Sequence, residues 1–116
     1  MTARTIGIIS IKGGVGKTSC TANLGAALAN EFGKKVLLVD SNFTAPNLGL
    51  HFGIVDPQKT LHDALLDKIG IKEAILEYKE GFHILPSSLA DRKVNPFKLK
   101  QKLQELKAHY DFILLD

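Results

Sequence analysis

The chain is poor in the residues that build cross-linked or metal-bound domains. Among its 116 residues there is a single cysteine, Cys20, which excludes an intrachain disulfide and a CxxC metal site within this sequence. The histidines are His51, His62, His83 and His109, and they lack the spacing of metal ligands. We therefore expect surface histidines, or buried ones with satisfied hydrogen bonds, rather than a zinc site.

Long hydrophobic stretches are also missing. No segment approaches the roughly 18 apolar residues of a membrane-spanning helix, and the start lacks the charged and apolar regions of a secretory signal. We therefore expect a cytoplasmic protein. Apolar residues at 45% and charged residues at 23% are ordinary globular values. The formal net charge of +3 is mild, so it suits a polyanionic ligand without demonstrating one.

A glycine-rich segment between an apolar run and a helical pattern is the most informative part of the chain. The run Thr5–Ile11 is β-branched and apolar, as expected of a buried strand, and Lys12–Thr18 reads KGGVGKT. Gly13, Gly14 and Gly16 allow backbone torsions that let successive N–H groups face an anion. The helix that follows adds its N-terminal N–H groups and the positive end of its dipole. The segment predicts a phosphate-binding loop.

Each position of this loop has a predicted role. Lys17 would reach the β- and γ-phosphates, and the Thr18 hydroxyl would ligate Mg²⁺. The residues predicted to contact the nucleotide are Gly13, Gly14, Val15, Gly16, Lys17, Thr18 and Ser19. The alternative is a glycine turn with two solvated lysines, but chance would produce this segment in roughly 10⁻⁵ of chains this long.

The loop departs from the general pattern G-x-x-x-x-G-K-[ST] in having Ile11 at the first glycine position and an extra lysine, Lys12. In this form it resembles the deviant Walker A motif of the ParA/MinD family of P-loop ATPases. The resemblance implies ATP and Mg²⁺ as cofactors and a nucleotide-dependent homodimer in which Lys12 reaches the partner's phosphates. A cation supplied in trans stabilises charge on the transferring phosphoryl group and makes dimerisation depend on ATP. A plain exposed lysine is the alternative for Lys12.

Strand and helix patterns alternate along the chain. Besides Thr5–Ile11, strands are predicted at Val36–Val39, Phe82–Leu85 and Phe112–Leu115. Helices are predicted at Thr18–Phe32, Leu61–Ile69, Ile71–Tyr78 and Pro96–His109, the last with a stripe of Leu99, Leu103, Leu106 and Tyr110. This order predicts an α/β fold of the P-loop NTPase type, with a mostly parallel sheet and helices on both faces.

Two aspartates directly follow predicted strands, where open α/β sheets bind ligands. Asp116 follows four apolar residues, which is typical of a Walker B aspartate that holds Mg²⁺. Its alternative is an ordinary acid at a strand end. Asp40 matches the first aspartate of the family's D-x-D segment, and we predict it as a further Mg²⁺ ligand with a catalytic role. The predicted catalytic residues are Lys12, Lys17, Asp40 and Asn42.

Asn42 stands where the family has its second aspartate, which is credited with orienting or activating the attacking water. An amide can orient water but cannot take a proton as a carboxylate can. Hydrolysis is therefore expected to be slow, or to depend on Asp40 or on a partner protein. The alternative is a turn residue without a catalytic part. The next segment, Phe43–Leu50, resembles the family's switch I region, in which Thr44 could contact phosphate or Mg²⁺.

The resemblance implies an ATP-binding and ATP-hydrolysing dimeric switch that positions DNA, division machinery or other assemblies, with a regulatory protein partner. The alternatives are an iron-sulfur carrier or reductase-type ATPase of the same superfamily, and a nucleotide-binding interaction module with little turnover. Membrane contact stays open, as does DNA contact through Lys98, Lys100, Lys102 and Lys107. Because family members continue beyond the Walker B aspartate, residues 1–116 are expected to be the N-terminal part of one ATPase domain, truncated there and without assured activity alone.

Overall fold

Strands and helices alternate along the chain, as the apolar runs predict. The computed structural model describes residues 4–7, 17–40, 48, 52–54, 57–87 and 95–115. Within these ranges the elements are β1 (Arg4–Gly7), α1 (Lys17–Asn30), β2 (Val36–Val39), α2 (Leu61–Leu65), a 3-10 helix (Ile71–Ala74), β3 (Leu76–Lys79), β4 (Phe82–Leu85), α3 (Pro96–Gln104) and β5 (Phe112–Leu115). The rest of the predicted first strand, residues 8–11, lies outside the described residues.

The described strands form one sheet with the order β1-β5-β2-β4-β3. The first four strands in this order are parallel, and β3 is antiparallel to β4. Leu115 is in register with Gly7 on one side and Val39 on the other. The carboxyl ends of β1, β5 and β2 are therefore level along one side of the sheet, called the carboxyl edge below. The prediction of a mostly parallel sheet is confirmed.

The central strands are buried on both faces, which explains why they read as continuous apolar runs. Alternate residues of β2 belong to two separate core clusters. One cluster joins Leu37 and Val39 to residues of α2, the 3-10 helix and α3. The other joins Val36 and Leu38 to residues of α1 and to Leu48. The prediction of helices on both faces of the sheet is confirmed.

Helix α1 packs against the sheet at a glycine. A Cβ added to Gly25 would lie 2.7 Å from Cδ2 of Leu38, whose side chain is fully buried, so the helix and strand approach too closely for alanine without a shift. The helix ends at Asn30, and Gly33 at φ +62° turns the chain toward β2. The predicted helix Thr18–Phe32 is too long at its end, because Phe32 lies past the last helical residue and is 65% exposed.

The prediction of a helix over Ile71–Tyr78 is wrong in its second half. Residues 71–74 form one 3-10 turn, and Leu76–Lys79 is instead the edge strand β3. Gly81 at φ +76° lies in the two-residue connection between Lys79 and Phe82, which are in register. This segment forms a strand because it pairs with β4 and because the centroid of the Tyr78 ring lies 5.9 Å from that of Phe82. These contacts outweigh the short helical pattern.

Helix α2 is also shorter than predicted, since it ends at Leu65 and the chain takes a left-handed conformation at Asp67, with φ 58°. Its start is fixed by a capping box. The Thr60 hydroxyl accepts from the Asp63 N–H, and the Asp63 carboxylate accepts from the Thr60 N–H. Pro86 adds its carbonyl as acceptor for the Leu61 N–H at 2.8 Å.

Helix α3 begins at Pro96, where the Asn95 side chain caps it, and ends at Gln104 rather than near His109. Its apolar stripe is confirmed, because Leu103, Leu106 and Tyr110 are buried and Leu99 packs against them.

The lysine row of α3 is partly occupied by ion pairs. Lys98 and Lys102 both pair with Asp67, the second at 3.0 Å. Hydrogen bonds from Lys98 and then Lys102 lower the pKa of Asp67. Two lysines share one carboxylate here, and the DNA contact through this row stays a prediction. No helix within the described ranges is long and apolar enough to cross a membrane.

Candidate nucleotide-binding site

The carboxyl edge of the sheet gathers the chain positions that the sequence assigns to nucleotide chemistry. Asp40 directly follows β2, and Asp116 directly follows β5. Because β5 lies between β1 and β2, these aspartates follow adjacent strands about 4.8 Å apart. Asp116 itself lies outside the described residues. The last described residue before it, Leu115, is in register with Gly7 at the end of β1.

The helix that follows the predicted phosphate loop begins at Lys17. Lys17, Thr18 and Ser19 therefore form its first turn, whose N–H groups have no partner within a helix. The loop residues Lys12, Gly13, Gly14, Val15 and Gly16 lie outside the described residues, as do the side chains of the first turn. The strand before the loop and the helix after it are both present. This is the strand-to-helix context that a phosphate loop requires.

Asp40 is buried at the carboxyl edge, with 1% of its surface exposed. Its backbone N–H donates to the Leu85 carbonyl at 3.1 Å, which continues the pairing of β2 with β4. Its carboxylate Oδ2 accepts from the backbone N–H of Leu48 at 3.2 Å, and Leu48 is fully buried. The predicted residues Asn42 and Thr44 lie between these two and outside the described residues. Asp40 is thus a buried acceptor of a backbone hydrogen bond.

The chemistry of the predicted metal ligands fits Mg²⁺. Thr18, Asp40 and Asp116 offer a hydroxyl and two carboxylates, and oxygen ligands are those that Mg²⁺ takes in proteins. Their positions differ in one respect. Asp116 follows the strand next to β1, whereas Asp40 follows the strand beyond it, about 10 Å from the line of β1 at two strand spacings.

The hydroxyl of Ser87 is buried at the same edge. The sequence analysis did not predict this. Ser87 is 7% exposed and lies two residues past the end of β4. Its Oγ has no hydrogen-bond partner within the part of the chain that the structure describes. A serine after a proline is usual in loops, so only the packing of the edge identifies this atom as buried and polar.

A polar cluster of Glu77, His83 and Tyr110 lies toward the opposite edge of the sheet, and the sequence analysis missed it too. The Tyr110 hydroxyl is 2.7 Å from Nδ1 of His83, and Glu77 Oε2 is 4.0 Å from its Nε2. Burial, and then the charge of Glu77, raises the pKa of Tyr110 to about 12. These residues line a cavity of about 340 Å³ together with Lys72 and His109.

A hairpin prediction would have revealed two of the three residues of this cluster, because Glu77 and His83 are directly opposite each other on β3 and β4. The prediction of satisfied histidines is confirmed for His83. Among the described residues, no group of three or more histidine, cysteine, aspartate or glutamate side chains is placed to hold a metal ion.

The family is decided by comparison with known proteins. A family model described as an AAA domain matches residues 3–116. The chain belongs to this family. Its relatives include MinD and Soj, and the fold matches solved MinD structures, so the resemblance to the ParA/MinD family of P-loop ATPases is confirmed.

Three curated relatives illustrate the similarity of sequence. An uncharacterised ATP-binding protein of Methanocaldococcus jannaschii is 36% identical over 114 residues, covering 96% of this chain and 43% of its own length. The septum site-determining protein MinD of Thermotoga maritima is 37% identical over 114 residues, covering 94% of this chain and 42% of its own. The sporulation initiation inhibitor Soj of Bacillus subtilis is 34% identical over 127 residues, covering 97% of this chain and 49% of its own length. The chain thus spans less than half the length of these relatives.

Solved structures show the same fold, each covering 98% of this chain. MinD of Pyrococcus horikoshii complexed with Mg-ADP is 44% identical, with a TM-score of 0.86 and 48% of its chain matched. Cobyrinic acid a,c-diamide synthase of Mycobacterium smegmatis, with an ATP analogue and magnesium, is 30% identical, with a TM-score of 0.83 and 50% matched. The MinC:MinD complex of Aquifex aeolicus contains a chain 36% identical, with a TM-score of 0.84 and 47% matched. Nucleotide and magnesium binding are therefore properties of the family.

Proposed function

We propose that this protein is an ATP-binding and ATP-hydrolysing switch of the MinD/ParA type, which dimerises on ATP and positions DNA, division machinery or another large assembly in the cytoplasm. The observation that supports this most is the meeting of β1, β5 and β2 at one edge, with α1 beginning at Lys17. The names of the relatives, which include septum site and sporulation proteins, support the class of assembly. The MinC:MinD complex supports a regulatory protein partner.

Each predicted residue then has a task at this edge. The backbone of Gly13–Gly16 and the first turn of α1 surround the phosphates, while Lys17 neutralises the charge on the β- and γ-phosphates. Thr18, Asp40 and Asp116 would hold Mg²⁺, which would neutralise phosphate charge. Asn42 orients the attacking water through its amide. Lys12 stabilises charge on the phosphates of the partner in the dimer.

The test of this proposal is ATP-dependent dimerisation, measured by light scattering after size-exclusion chromatography. With Mg²⁺ and a slowly hydrolysed ATP analogue, we expect the unchanged protein to double its mass. We expect Lys12→Ala to bind the analogue as a monomer, because this variant removes only the cation supplied in trans. Lys34→Ala removes an exposed lysine past the end of α1 and serves as the matched control. A dimer of Lys12→Ala as stable as that of the control would contradict the role of Lys12.

Replacing Asn42 with aspartate should raise the basal rate of ATP hydrolysis. A carboxylate at this position can accept a proton from the attacking water, which an amide cannot, and general base catalysis typically contributes about 10²-fold or more. The measurement is phosphate release at saturating Mg-ATP, with nucleotide affinity determined in parallel. A rate that stays the same or falls, at unchanged affinity, would show that residue 42 does not act on the water.

A nucleotide-binding interaction module with little turnover is the second candidate, and Asn42 is the residue that favours it. It shares the nucleotide site with the switch and differs in the chemistry that follows. Phosphate release near background from a protein that binds ATP and dimerises would favour the module. Measurable turnover that increases on dimerisation would favour the hydrolysing switch.

A further inference from the structure

The polar cluster of Glu77, His83 and Tyr110 lies away from the carboxyl edge. Glu77 and His83 are opposite each other on β3 and β4, and Tyr110 comes two residues before β5. The three side chains line the cavity of about 340 Å³ and also an adjoining cavity of about 670 Å³. Both volumes are within the range of about 300–1,000 Å³ that is usual for small-ligand pockets. All the residues that line these cavities belong to the described ranges.

The neighbours of the His83 ring determine which of its nitrogens carries the proton. The Tyr110 hydroxyl is 2.7 Å from Nδ1, and Nε2 faces Oε2 of Glu77 at 4.0 Å. In the neutral ring only one nitrogen is protonated. A proton on Nε2 directs an N–H toward the Glu77 carboxylate and leaves Nδ1 to accept from the phenol, so this tautomer suits both neighbours. His83 then presents an N–H donor beside a carboxylate acceptor.

Tyr110 is a hydrogen-bond donor here and is unsuited to covalent chemistry. A row of hydroxyl, imidazole and carboxylate has the order of an activated nucleophile. However, burial, and then the charge of Glu77, raises the pKa of Tyr110 to about 12. The phenol therefore keeps its proton at neutral pH, and the cluster is suited to binding.

The gap between His83 and Glu77 selects one kind of chemical group. At 4.0 Å, Nε2 and Oε2 are too far apart for a direct hydrogen bond. An atom beside both can lie about 2.8 Å from each, and it must accept from the N–H and donate to the carboxylate. A hydroxyl group does both. An ammonium group only donates, whereas a ligand carboxylate only accepts and would be repelled by Glu77.

The rest of the lining combines an apolar wall with charges of both signs. Ile75 and Leu106 supply apolar surface in the first cavity. An anionic ligand would meet carboxylates and a cationic ligand would meet lysines, whereas neutral hydroxyl groups can pair with either. The charged side chains of the two cavities are Lys35, Lys72, Glu77, Glu80 and Asp111. A neutral ligand with several hydroxyl groups fits this lining.

We propose that the cavity beside Glu77 and His83 binds a small neutral polyhydroxy molecule of the polyol or sugar type, one hydroxyl of which bridges Nε2 of His83 and Oε2 of Glu77. Tyr110 donates to Nδ1 and so keeps the proton of the ring on Nε2. The ligand contacts β3, β4 and the segment that leads into β5. Its binding does not require the nucleotide, because none of the residues predicted to contact nucleotide or Mg²⁺ lines this cavity.

The probe for this site is myo-inositol, an uncharged ring with a hydroxyl group on every carbon. Titrated into protein whose histidines carry nitrogen-15, it should shift the ring nitrogens of His83 saturably, with a Kd of roughly 10 mM or tighter. The ring nitrogens of His62, which does not line either cavity, should stay unchanged. The absence of a saturable shift at about 100 mM would overturn the proposal, since water alone would then fill the gap.

Two charged probes without hydroxyl groups test the class of ligand. Acetate and butylammonium should leave the His83 nitrogens unchanged at the concentration at which myo-inositol saturates, because neither can both accept and donate. A saturable shift of the same size with either probe would contradict a site that selects hydroxyl groups.

Glu77→Ala removes the acceptor of the bridging hydroxyl at a side chain that is 66% exposed. The Kd for myo-inositol should rise about tenfold or more, because a hydrogen bond to a charged group is lost. Glu31→Ala is the matched control, since it removes an exposed acid that lines neither cavity, and its Kd should stay within about twofold. Binding of myo-inositol by Glu77→Ala as tight as by the control would overturn the proposal.

The tautomer of His83 gives a test that needs no variant. In the neutral ring at about pH 8, long-range spectra that correlate hydrogen with nitrogen-15 should show Nε2 protonated and Nδ1 unprotonated. A proton on Nδ1 would remove the donor that the bridging hydroxyl requires, and the proposal would then be wrong.

Discussion

Replacing Lys17 with alanine should remove the stabilisation of this protein by Mg-ATP. A ligand that binds only the folded state at about 100 times its Kd adds about 2.7 kcal/mol to the free energy of unfolding. Lys17 opens α1 at the point where the chain leaves the predicted phosphate loop. Its charge is therefore the one that we expect to reach the β- and γ-phosphates. Thermal or urea unfolding with and without Mg-ATP measures the difference.

The control for this experiment is Lys34→Ala, which removes an exposed lysine in the connection between α1 and β2. It should keep the full Mg-ATP effect. Without nucleotide, both variants should unfold within about 0.5 kcal/mol of the unchanged protein, because neither substitution is expected to disturb the core. An undiminished ATP effect in Lys17→Ala would place the nucleotide elsewhere. The absence of any effect in the unchanged protein would contradict nucleotide binding itself.

Replacing Phe82 with alanine should cost about 3–5 kcal/mol in the free energy of unfolding, the usual range for a buried phenylalanine. Phe82 begins β4, is 2% exposed and packs in the same cluster as Leu38 and Leu114. Its ring centroid is 5.5 Å from that of Phe52 and 5.9 Å from that of Tyr78, so truncation opens a cavity among aromatic rings. Urea denaturation monitored by circular dichroism measures the loss.

Phe97→Ala is the matched control, because it makes the same chemical change at a side chain that is 76% exposed. It should change stability by less than about 0.5 kcal/mol, as surface substitutions usually do. A cost below about 1 kcal/mol for Phe82→Ala would mean that β4 is not packed as described. It would also remove support for the described position of β2 at the carboxyl edge, since β4 pairs directly with β2.

The elements that could be predicted from the sequence are those with a strong local signal. Val36–Val39 and Phe112–Leu115 are apolar at every position, and such runs between turn residues form buried strands with the predicted bounds. The leucine stripe predicted from Pro96 onward is equally clear, since Leu103 in α3 and Leu106 just past its end are buried as the spacing indicates.

The elements that could not be predicted depend on partners distant in the chain. Leu76–Lys79 is exposed at every position, and only pairing with β4 makes it a strand. Helix α2 ends at Leu65, and Asp67 beyond it takes a left-handed conformation and pairs with Lys98 and Lys102 of α3. Neither ion pair is visible in the local sequence, because the partners are separated by more than 30 residues.

The expectation of a phosphate site follows from the sequence, since a phosphate loop needs glycines, a lysine and a threonine at adjacent positions of one segment. KGGVGKT therefore identifies the P-loop ATPase family without reference to a fold. The tertiary structure decides which strands lie side by side, and hence that β5, which precedes Asp116, is next to β1 while β2, which precedes Asp40, is one strand further away. It also decides that Asp40 faces the Leu48 N–H. The physical reason is that strand order and burial arise from contacts between distant segments, whereas a loop motif is local.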